Sequence, residues 1–337
     1  MKILKFTSPV AVLILLCLRI PSSADWVRFE LPHLSSPWAP VAMEHLPDGR
    51  VLYGESGNLY LQAAWNSATF NPFTSEPAGI DPSFIAAWDE STAVLGAGGW
   101  NPSDLYRFDP SAATGSFSAL GLSVQNYHGV FRDAAGLYIG GADTGPDNNQ
   151  HGIRYVSLDG SINRILIDGI STYSCGFDID RNGDLYVGDN DDGKVYRFTA
   201  PQLSLAMTGT PLSITDGELI HDFGEGGNLT SLAVDGLGRI WAAGWQHNGL
   251  KVYNPALDQE FTYIPDLTNA NYRVDAFEKD GVFYISYLTE ADPSTAGSAV
   301  WYGYDEAAGY AIPEPTGLVW LALGSGLVLG VRRRRQR

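Results

Sequence analysis

The segment that decides the fold is residues 177–193, FDIDRNGDLYVGDNDDG, which holds six Asp and two Asn. Five of its residues match positions 1, 3, 5, 6 and 12 of an EF-hand calcium loop: Asp178, Asp180, Asn182, Gly183 and Asp189. An EF-hand needs flanking helices, whereas the residues on both sides of 180–183 alternate between apolar and polar, which is the period of a strand. We therefore predict two strands joined by a tight Asp-x-x-Gly turn.

The same unit recurs along the chain. A short apolar strand ends in a small residue at positions 54, 96, 140, 188, 243 and 286, which lie 42 to 55 residues apart. Turns rich in Asp and Gly precede most of these strands, because Asp bonds its own backbone and Gly accepts a positive φ. One strand before each turn and two after the second strand give four strands per unit. The chain is thus predicted to be all-β, a six-bladed β-propeller of four-stranded antiparallel blades over residues 25–311.

The ring needs a strand to close it. Residues 26–31 precede the first unit and alternate as a strand does, so they are expected to form the outer strand of the last blade. Residues 309–312 are the rival for that place.

Residues 176–198 resemble an NHL-type repeat, with an apolar strand, an Asp-x-x-Gly turn, a second strand, an Asp-rich loop and a third strand. This resemblance implies the propeller architecture and no particular activity, because propellers include enzymes, ligand binders and scaffolds.

The N-terminal end is predicted to be a signal peptide, residues 1–24. It contains Lys2 and Lys5, then an apolar run over 10–18, then Ser22 and Ala24 at the −3 and −1 positions of a cleavage site. The body beyond it keeps a single cysteine, Cys175, so no disulfide within the chain is expected.

The C-terminal end combines three features in order. These are the tripeptide Pro313, Glu314 and Pro315, an uncharged stretch over 316–331 that is expected to form a transmembrane helix, and the cluster Arg332, Arg333, Arg334 and Arg335. Basic residues stay cytoplasmic by the positive-inside rule, which would place the body on the far side of the membrane.

This tail, residues 312–337, resembles the PEP-CTERM sorting signal. The resemblance implies a Gram-negative bacterium that makes extracellular polysaccharide, and an exosortase-type sorting protease as a partner. It also implies that the protein is exported through the inner membrane to the cell surface or the extracellular space.

The charge composition of the chain limits the classes of molecule that it can bind. The chain has 38 acidic and 21 basic residues and a formal net charge of −17. Several of the basic residues belong to the two terminal segments, so the body is more acidic than the whole chain. Such a body repels nucleic acid, and no nucleic-acid partner is expected.

A ligand site is predicted on the face where the loops entering the first strands meet the loops between second and third strands. Aromatic rings beside polar groups suit a polysaccharide or protein ligand. The predicted ligand-binding residues are Trp100, Tyr127, His128, Tyr173, Asn228, Trp245, His247, Tyr272 and Arg273.

The residues favour an exported binding or scaffold module, or a purely architectural matrix component, and no catalytic residue is assigned. A second hypothesis stays open, in which the chain is a metal-dependent hydrolase or lyase similar to lactonase-type six-bladed propellers. No cofactor is required by the first hypothesis, but Asp189, Asp191 and Asp192 are candidates for a weak Ca²⁺ site.

Overall fold

The structure is a computed structural model in which part of the chain is described. The described ranges are 27–30, 42–55, 58–64, 67, 70–75, 82–97, 102–112, 117–143, 151–172, 175–189, 191–224, 229–244, 250–263, 271–279, 282–289 and 300–305. The predicted signal peptide over 1–24 and the predicted sorting signal over 312–337, with its helix over 316–331, lie outside these residues. None of the helices in the described ranges has the length and apolar character that a membrane span requires.

Strands dominate the described chain. In chain order they are β1 (Val27–Glu30), β2 (Ala42–His45), β3 (Val51–Glu55), β4 (Asn58–Gln62), β5 (Phe70–Ser75), β6 (Phe84–Asp89), β7 (Thr92–Gly96), β8 (Ser103–Phe108), β9 (Ser118–Val124), β10 (His128–Asp133), β11 (Gly136–Asp143), β12 (His151–Ser157), β13 (Asn163–Ile170), β14 (Phe177–Ile179), β15 (Leu185–Asp189), β16 (Lys194–Phe198), β17 (Leu212–Ser213), β18 (Glu218–Asp222), β19 (Leu229–Val234), β20 (Ile240–Gly244), β21 (Leu250–Asn254), β22 (Gln259–Tyr263), β23 (Asn271–Lys279), β24 (Val282–Thr289) and β25 (Val300–Asp305). One helix, α1 (Ala200–Ala206), and a 3-10 turn (Ile214–Asp216) interrupt them.

These strands form small sheets, which we number by their first strand. Sheet 1 is β2-β3-β4-β5, sheet 2 is β6-β7-β8-β9, sheet 3 is β10-β11-β12-β13-β17, sheet 4 is β14-β15-β16-β18, sheet 5 is β19-β20-β21-β22, and sheet 6 is β23-β24-β25-β1. The first strands contact one another in the order β2, β6, β10, β14, β19 and β23, and β23 contacts β2. The all-β propeller predicted from the sequence is therefore confirmed as an architecture.

The prediction of six four-stranded blades needs a correction. Among the described residues only five sheets have four strands, and sheet 3 has a fifth strand, β17, which pairs in parallel with β13. The reason is an insertion between β16 and β18 that contains α1. The helix begins where Oδ1 of Asp184 accepts the N–H of Ala200 at 2.9 Å and Oε1 of Gln202 accepts the N–H of Thr199 at 2.9 Å. The chain then returns along sheet 3 before it completes sheet 4.

The ring closes through the N-terminal strand, as predicted. β1 pairs antiparallel with β25, with Val27 opposite Gly303 and Glu30 opposite Val300. Because β1 occupies the outer position of sheet 6, the last sheet combines strands from both ends of the propeller. This closure protects an edge that would otherwise be open to pairing with another chain.

The apolar cores lie between neighbouring sheets. Phe177 and Val187 of sheet 4 pack in one cluster with Tyr138 and Ile153 of sheet 3. Cys175 belongs to the same cluster and is fully buried, and burial raises the pKa of its thiol to about 12, so it is a small core residue as expected from the sequence. Similar clusters of buried apolar residues join sheets 1 and 2, sheets 2 and 3, and sheets 4 and 5.

Close packing at one such interface gives a stability prediction. We expect Gly96→Ala to lower the free energy of unfolding by about 1–3 kcal/mol, because a Cβ there would lie 2.1 Å from Cε1 of Phe84. The Phe84 ring is fully buried and cannot retreat, since its opposite edge faces Gly129, where a Cβ would lie 2.3 Å away. Urea denaturation measures the effect. In a Phe84→Leu background, Gly96→Ala should lower the free energy of unfolding by clearly less. An equal loss in both backgrounds would show that the clash with the Phe84 ring is not the cause.

Candidate functional site

The first strands surround a cavity of about 320 Å³ on the axis of the ring. Its wall is more polar than apolar, and its charged or titratable members are Glu44, His128, Asp178, Arg273 and Asp275. The volume lies at the lower end of the range of small-ligand sites, about 300–1,000 Å³, but the wall is more polar than is usual for such sites.

Arg273 and His128 form a buried pair, with 3% and 6% of their surfaces exposed. Nη1 of Arg273 donates to Nδ1 of His128, and Nη2 donates to the carbonyl of Ser83 at 3.2 Å. Nε2 of His128 lies 2.8 Å from the carbonyl of Phe177, to which it donates. These contacts assign the imidazole as neutral with its proton on Nε2.

Electrostatics agree with that assignment. Burial, reinforced by the positive charge of Arg273, holds the pKa of His128 well below its usual value. Burial also lowers the pKa of Arg273 to about 10, which leaves the guanidinium charged at neutral pH. Tyr127, which precedes His128, has its pKa raised by burial and is close enough to Arg273 for that charge to oppose the rise.

Three carboxyl groups line the same cavity. Oε1 of Glu44 accepts the N–H of Ala87 at 3.0 Å, and Oδ2 of Asp275 lies 2.6 Å from Nδ1 of His45. Burial raises the pKa of Glu44 well above its usual value, with the charge of Asp275 adding to the rise. Burial likewise raises the pKa of Asp178 to about 7. At neutral pH the cavity therefore carries less negative charge than three carboxylates would give.

These polar groups join neighbouring sheets around the ring. The bonded pairs, from sheet 1 onward, are Glu44 with the N–H of Ala87, Ser83 with Asn126, His128 with the carbonyl of Phe177, Asp178 with the N–H of Val234, Ser231 with the N–H of Val274, and Asp275 with the N–H of His45. Five of the six pairs join one sheet to the next, and the sixth, Ser83 with Asn126, joins the segments that lead into β6 and β10. The carboxyl groups and the imidazole of the axis are thus structural links whose positions are fixed by the sheets.

The Asp-rich segment 177–193 is a strand-turn-strand unit, as predicted, with β14 and β15 in place of EF-hand helices. Oδ1 of Asp180 accepts the N–H groups of Asn182 at 2.8 Å and Asp184 at 3.0 Å, so it stabilises its own turn. Asp178 bonds to the N–H of Val234 in the next sheet at 2.7 Å. The EF-hand alternative is therefore excluded by the local structure.

Two of the three candidate calcium ligands, Asp189 and Asp192, have carboxyl groups that bond to other protein groups, and Asp191 bonds through its backbone. Asp189 accepts the N–H of Ser171 at 3.1 Å, and Asp192 forms an ion pair of 2.9 Å with Lys194. The N–H of Asp191 donates to Oγ of Ser171 at 3.1 Å. In the described ranges, no group of three or more His, Cys, Asp or Glu side chains is placed to hold a metal ion. The described residues therefore give no support to a Ca²⁺ site.

The structure brings together three of the predicted ligand-binding residues, Tyr127, His128 and Arg273. For the others the side chains lie outside the described part of the chain: Trp100, Tyr173, Asn228, Trp245, His247 and Tyr272. The predicted site on the loop face as a whole stays a prediction.

The sequence-based site missed the axial carboxyls Glu44 and Asp275, and it assigned Asp178 only to the turn motif. A signal for them was present, because each is a charged residue inside an apolar first strand, as in the AMEH of β2. A charged residue at a position that faces inward needs a specific partner, and here the partner belongs to another sheet.

No protein-family model matches this chain, and no curated protein sequence matches it. Solved structures do resemble it. The PQQ-bound aldose sugar dehydrogenase from Streptomyces coelicolor has a TM-score of 0.58 at 12% identity, covering 85% of this chain and 100% of that one. The calcium-binding protein regucalcin from Agrobacterium tumefaciens has a TM-score of 0.58 at 12% identity, covering 82% and 95%.

A binding assembly gives a similar match. The nidogen/laminin complex contains a chain with a TM-score of 0.54 at 14% identity, covering 70% of this chain and 83% of that one. At such identities the likeness shows the β-propeller fold alone. Enzymes and binding modules occur side by side among these neighbours, so the function has to be argued from this chain's own residues.

Proposed function

We propose that this chain is an exported β-propeller that binds extracellular polysaccharide and catalyses no reaction on it. One observation carries this proposal: Glu44, His128, Asp178 and Asp275 on the axis are each held in a hydrogen bond to the backbone of the neighbouring sheet. Groups fixed in this way favour binding by a preformed surface, because little conformational freedom is lost when a ligand arrives. A surface protein is the other ligand class that the sequence leaves open.

Export is the second part of the proposal and rests on the sequence. The signal-peptide pattern over 1–24 and the PEP-CTERM-like tail over 312–337 support delivery by an exosortase to the cell surface or the extracellular space. The acidic composition of the body supports a ligand that is not itself polyanionic.

A glycan array tests the binding proposal. The full-length protein, purified in detergent, is expected to bind at least one class of bacterial polysaccharide fragment. The double variant Trp100→Ala, Trp245→Ala should weaken this binding about tenfold, which corresponds to about 1.4 kcal/mol for two lost aromatic contacts. The exposed variant Leu205→Ala, on α1, serves as the control.

Equal glycan binding by the wild-type protein and the double variant would contradict the prediction that the loop face, which includes Trp100 and Trp245, is the ligand site. If no fragment binds and an extracellular protein is captured instead, the polysaccharide proposal fails and the protein-ligand class replaces it.

A further inference from the structure

Five large apolar side chains of the described residues are exposed, and three of them lie in turns between strands. Trp88 is 43% exposed beside the β6–β7 turn, Leu237 is 46% exposed in the β19–β20 turn, and Ile162 is 41% exposed in the β12–β13 turn. The other two, Leu205 and Leu219, belong to α1 and to β18. Single exposed apolar residues are ordinary, so what matters here is where the three turns lie relative to one another.

The strand directions place these three turns at the same end of the ring. Consecutive strands are antiparallel in sheets 2, 3 and 5, so the first and third strands of each sheet run in one direction. The β6–β7 and β19–β20 turns follow first strands, and the β12–β13 turn follows a third strand. Because all first strands of a propeller run in one direction along its axis, these turns share one face, which we call the turn face. The predicted loop face lies at the other end of the same strands.

Both ends of the propeller chain also leave it at the turn face. β25 is the third strand of sheet 6, and Gly303 near its end lies opposite Val27 at the start of β1. From there β1 runs toward the loop face, where the chain continues to β2. The predicted signal peptide ends at residue 24, and only residues 306–315 separate β25 from the predicted membrane helix. Such a segment spans at most about 35 Å, so the turn face is held close to any membrane that contains the helix.

A bilayer surface suits the exposed residues of the turn face. Tryptophan is enriched where membranes meet water, because its ring is apolar and carries one N–H donor. Leucine and isoleucine side chains gain free energy when contact with lipid removes them from water. A short tether gives an effective concentration of roughly millimolar, so a weak contact by a few side chains is sufficient for docking. The acidic composition of the chain disfavours an anionic surface and favours lipids without net charge.

We propose that the turn face is a membrane-docking surface, on which Trp88, Ile162 and Leu237 contact the headgroup region of a bilayer while the C-terminal tail is inserted in it. The inference rests on the proposed function for its use of the predicted tail. It deepens that function, because docking at the turn face directs the predicted loop face away from the membrane and toward extracellular polysaccharide.

Fluorescence quenching tests this orientation on the full-length protein, reconstituted in phosphatidylcholine vesicles that contain a nitroxide-labelled lipid. A fluorophore is attached at Arg181→Cys on the turn face or at Asp191→Cys on the loop face, in a Cys17→Ser background. Both positions are exposed, and β15 lies between them, so about 17 Å of strand separates the two probes. The buried Cys175, whose pKa is raised to about 12, does not react with the label.

The Arg181 probe should be quenched about threefold more strongly than the Asp191 probe, because the strand holds the latter farther from the lipid. The double variant Trp88→Ala, Leu237→Ala should remove most of this difference, since two of the three apolar contacts are lost. Leu237→Ala alone should remove part of it. Leu219→Ala is the matched control, because Leu219 is exposed but lies outside the docking surface.

Equal quenching of the two probes, or stronger quenching at the loop face, would overturn the docking surface. A difference that persists unchanged in the double variant would overturn it too. Protein that does not float with the vesicles in a density gradient would reject the predicted membrane tail together with the docking surface. The glycan array is carried out in detergent and is independent of these outcomes, so failure of docking and failure of polysaccharide binding are distinguishable.

Discussion

Asp235→Ala is expected to lower the free energy of unfolding by about 3–5 kcal/mol. Asp235 and Arg239 are both buried, with 5% and 3% of their surfaces exposed. Oδ2 of Asp235 accepts from Nε of Arg239 at 2.6 Å and from Nε1 of the fully buried Trp241 at 2.8 Å. Removing the carboxylate takes the counter-charge from a buried guanidinium and an acceptor from a buried indole. Water cannot replace either contact because both groups are buried.

The turn of sheet 4 supplies a matched control for this variant. Asp180 occupies the same turn position as Asp235, and its Oδ1 accepts the same two backbone N–H groups, from the residues two and four positions later. Among the described residues its hydrogen bonds go only to Asn182 and Asp184 of its own turn, so Asp180→Ala should cost only about 1 kcal/mol. Urea denaturation of both variants measures the difference. Equal losses would show that the Arg239 and Trp241 contacts contribute nothing.

The comparison of these two turns explains what could be predicted from the sequence. The Asp-x-x-Gly pattern predicted both turns correctly, because Asp180 and Asp235 bond to their own backbone within four residues. The closing strand β1 was also predictable, since its alternation is visible within the strand itself. Local signals of this kind were sufficient for the all-β propeller.

Other features depend on residues far apart in the chain, and the sequence did not reveal them. Asp178 bonds to Val234, 56 residues later, and Asp275 bonds to His45, 230 residues earlier. No spacing rule connects such positions, which is why the axial carboxyls were missed. The fifth strand of sheet 3 was missed for a related reason, because two residues, Leu212 and Ser213, are too few to show a period.

Asp178→Asn is expected to change how the free energy of unfolding depends on pH, by several kcal/mol between about pH 4 and pH 8. Burial raises the pKa of the Asp178 carboxyl from 3.8 to about 7 in the folded protein. The unfolded chain therefore releases this proton near pH 4, while the folded chain holds it until about pH 7. Between these values the folded state binds more protons, so the free energy of unfolding falls as pH rises. The fall attributable to Asp178 is about 4 kcal/mol at about 1.4 kcal/mol for each pH unit.

Asparagine has nearly the same shape and does not ionise, so the variant should lack this fall. Measured by urea denaturation, the stability of Asp178→Asn relative to wild type should increase by about 4 kcal/mol between pH 4 and pH 8. His128 acts in the opposite direction, because its lowered pKa makes the fold lose stability as pH falls below about 6.5. That contribution is common to both proteins and cancels in the difference. A nearly constant difference between Asp178→Asn and wild type over this pH range would contradict a raised pKa at the axis.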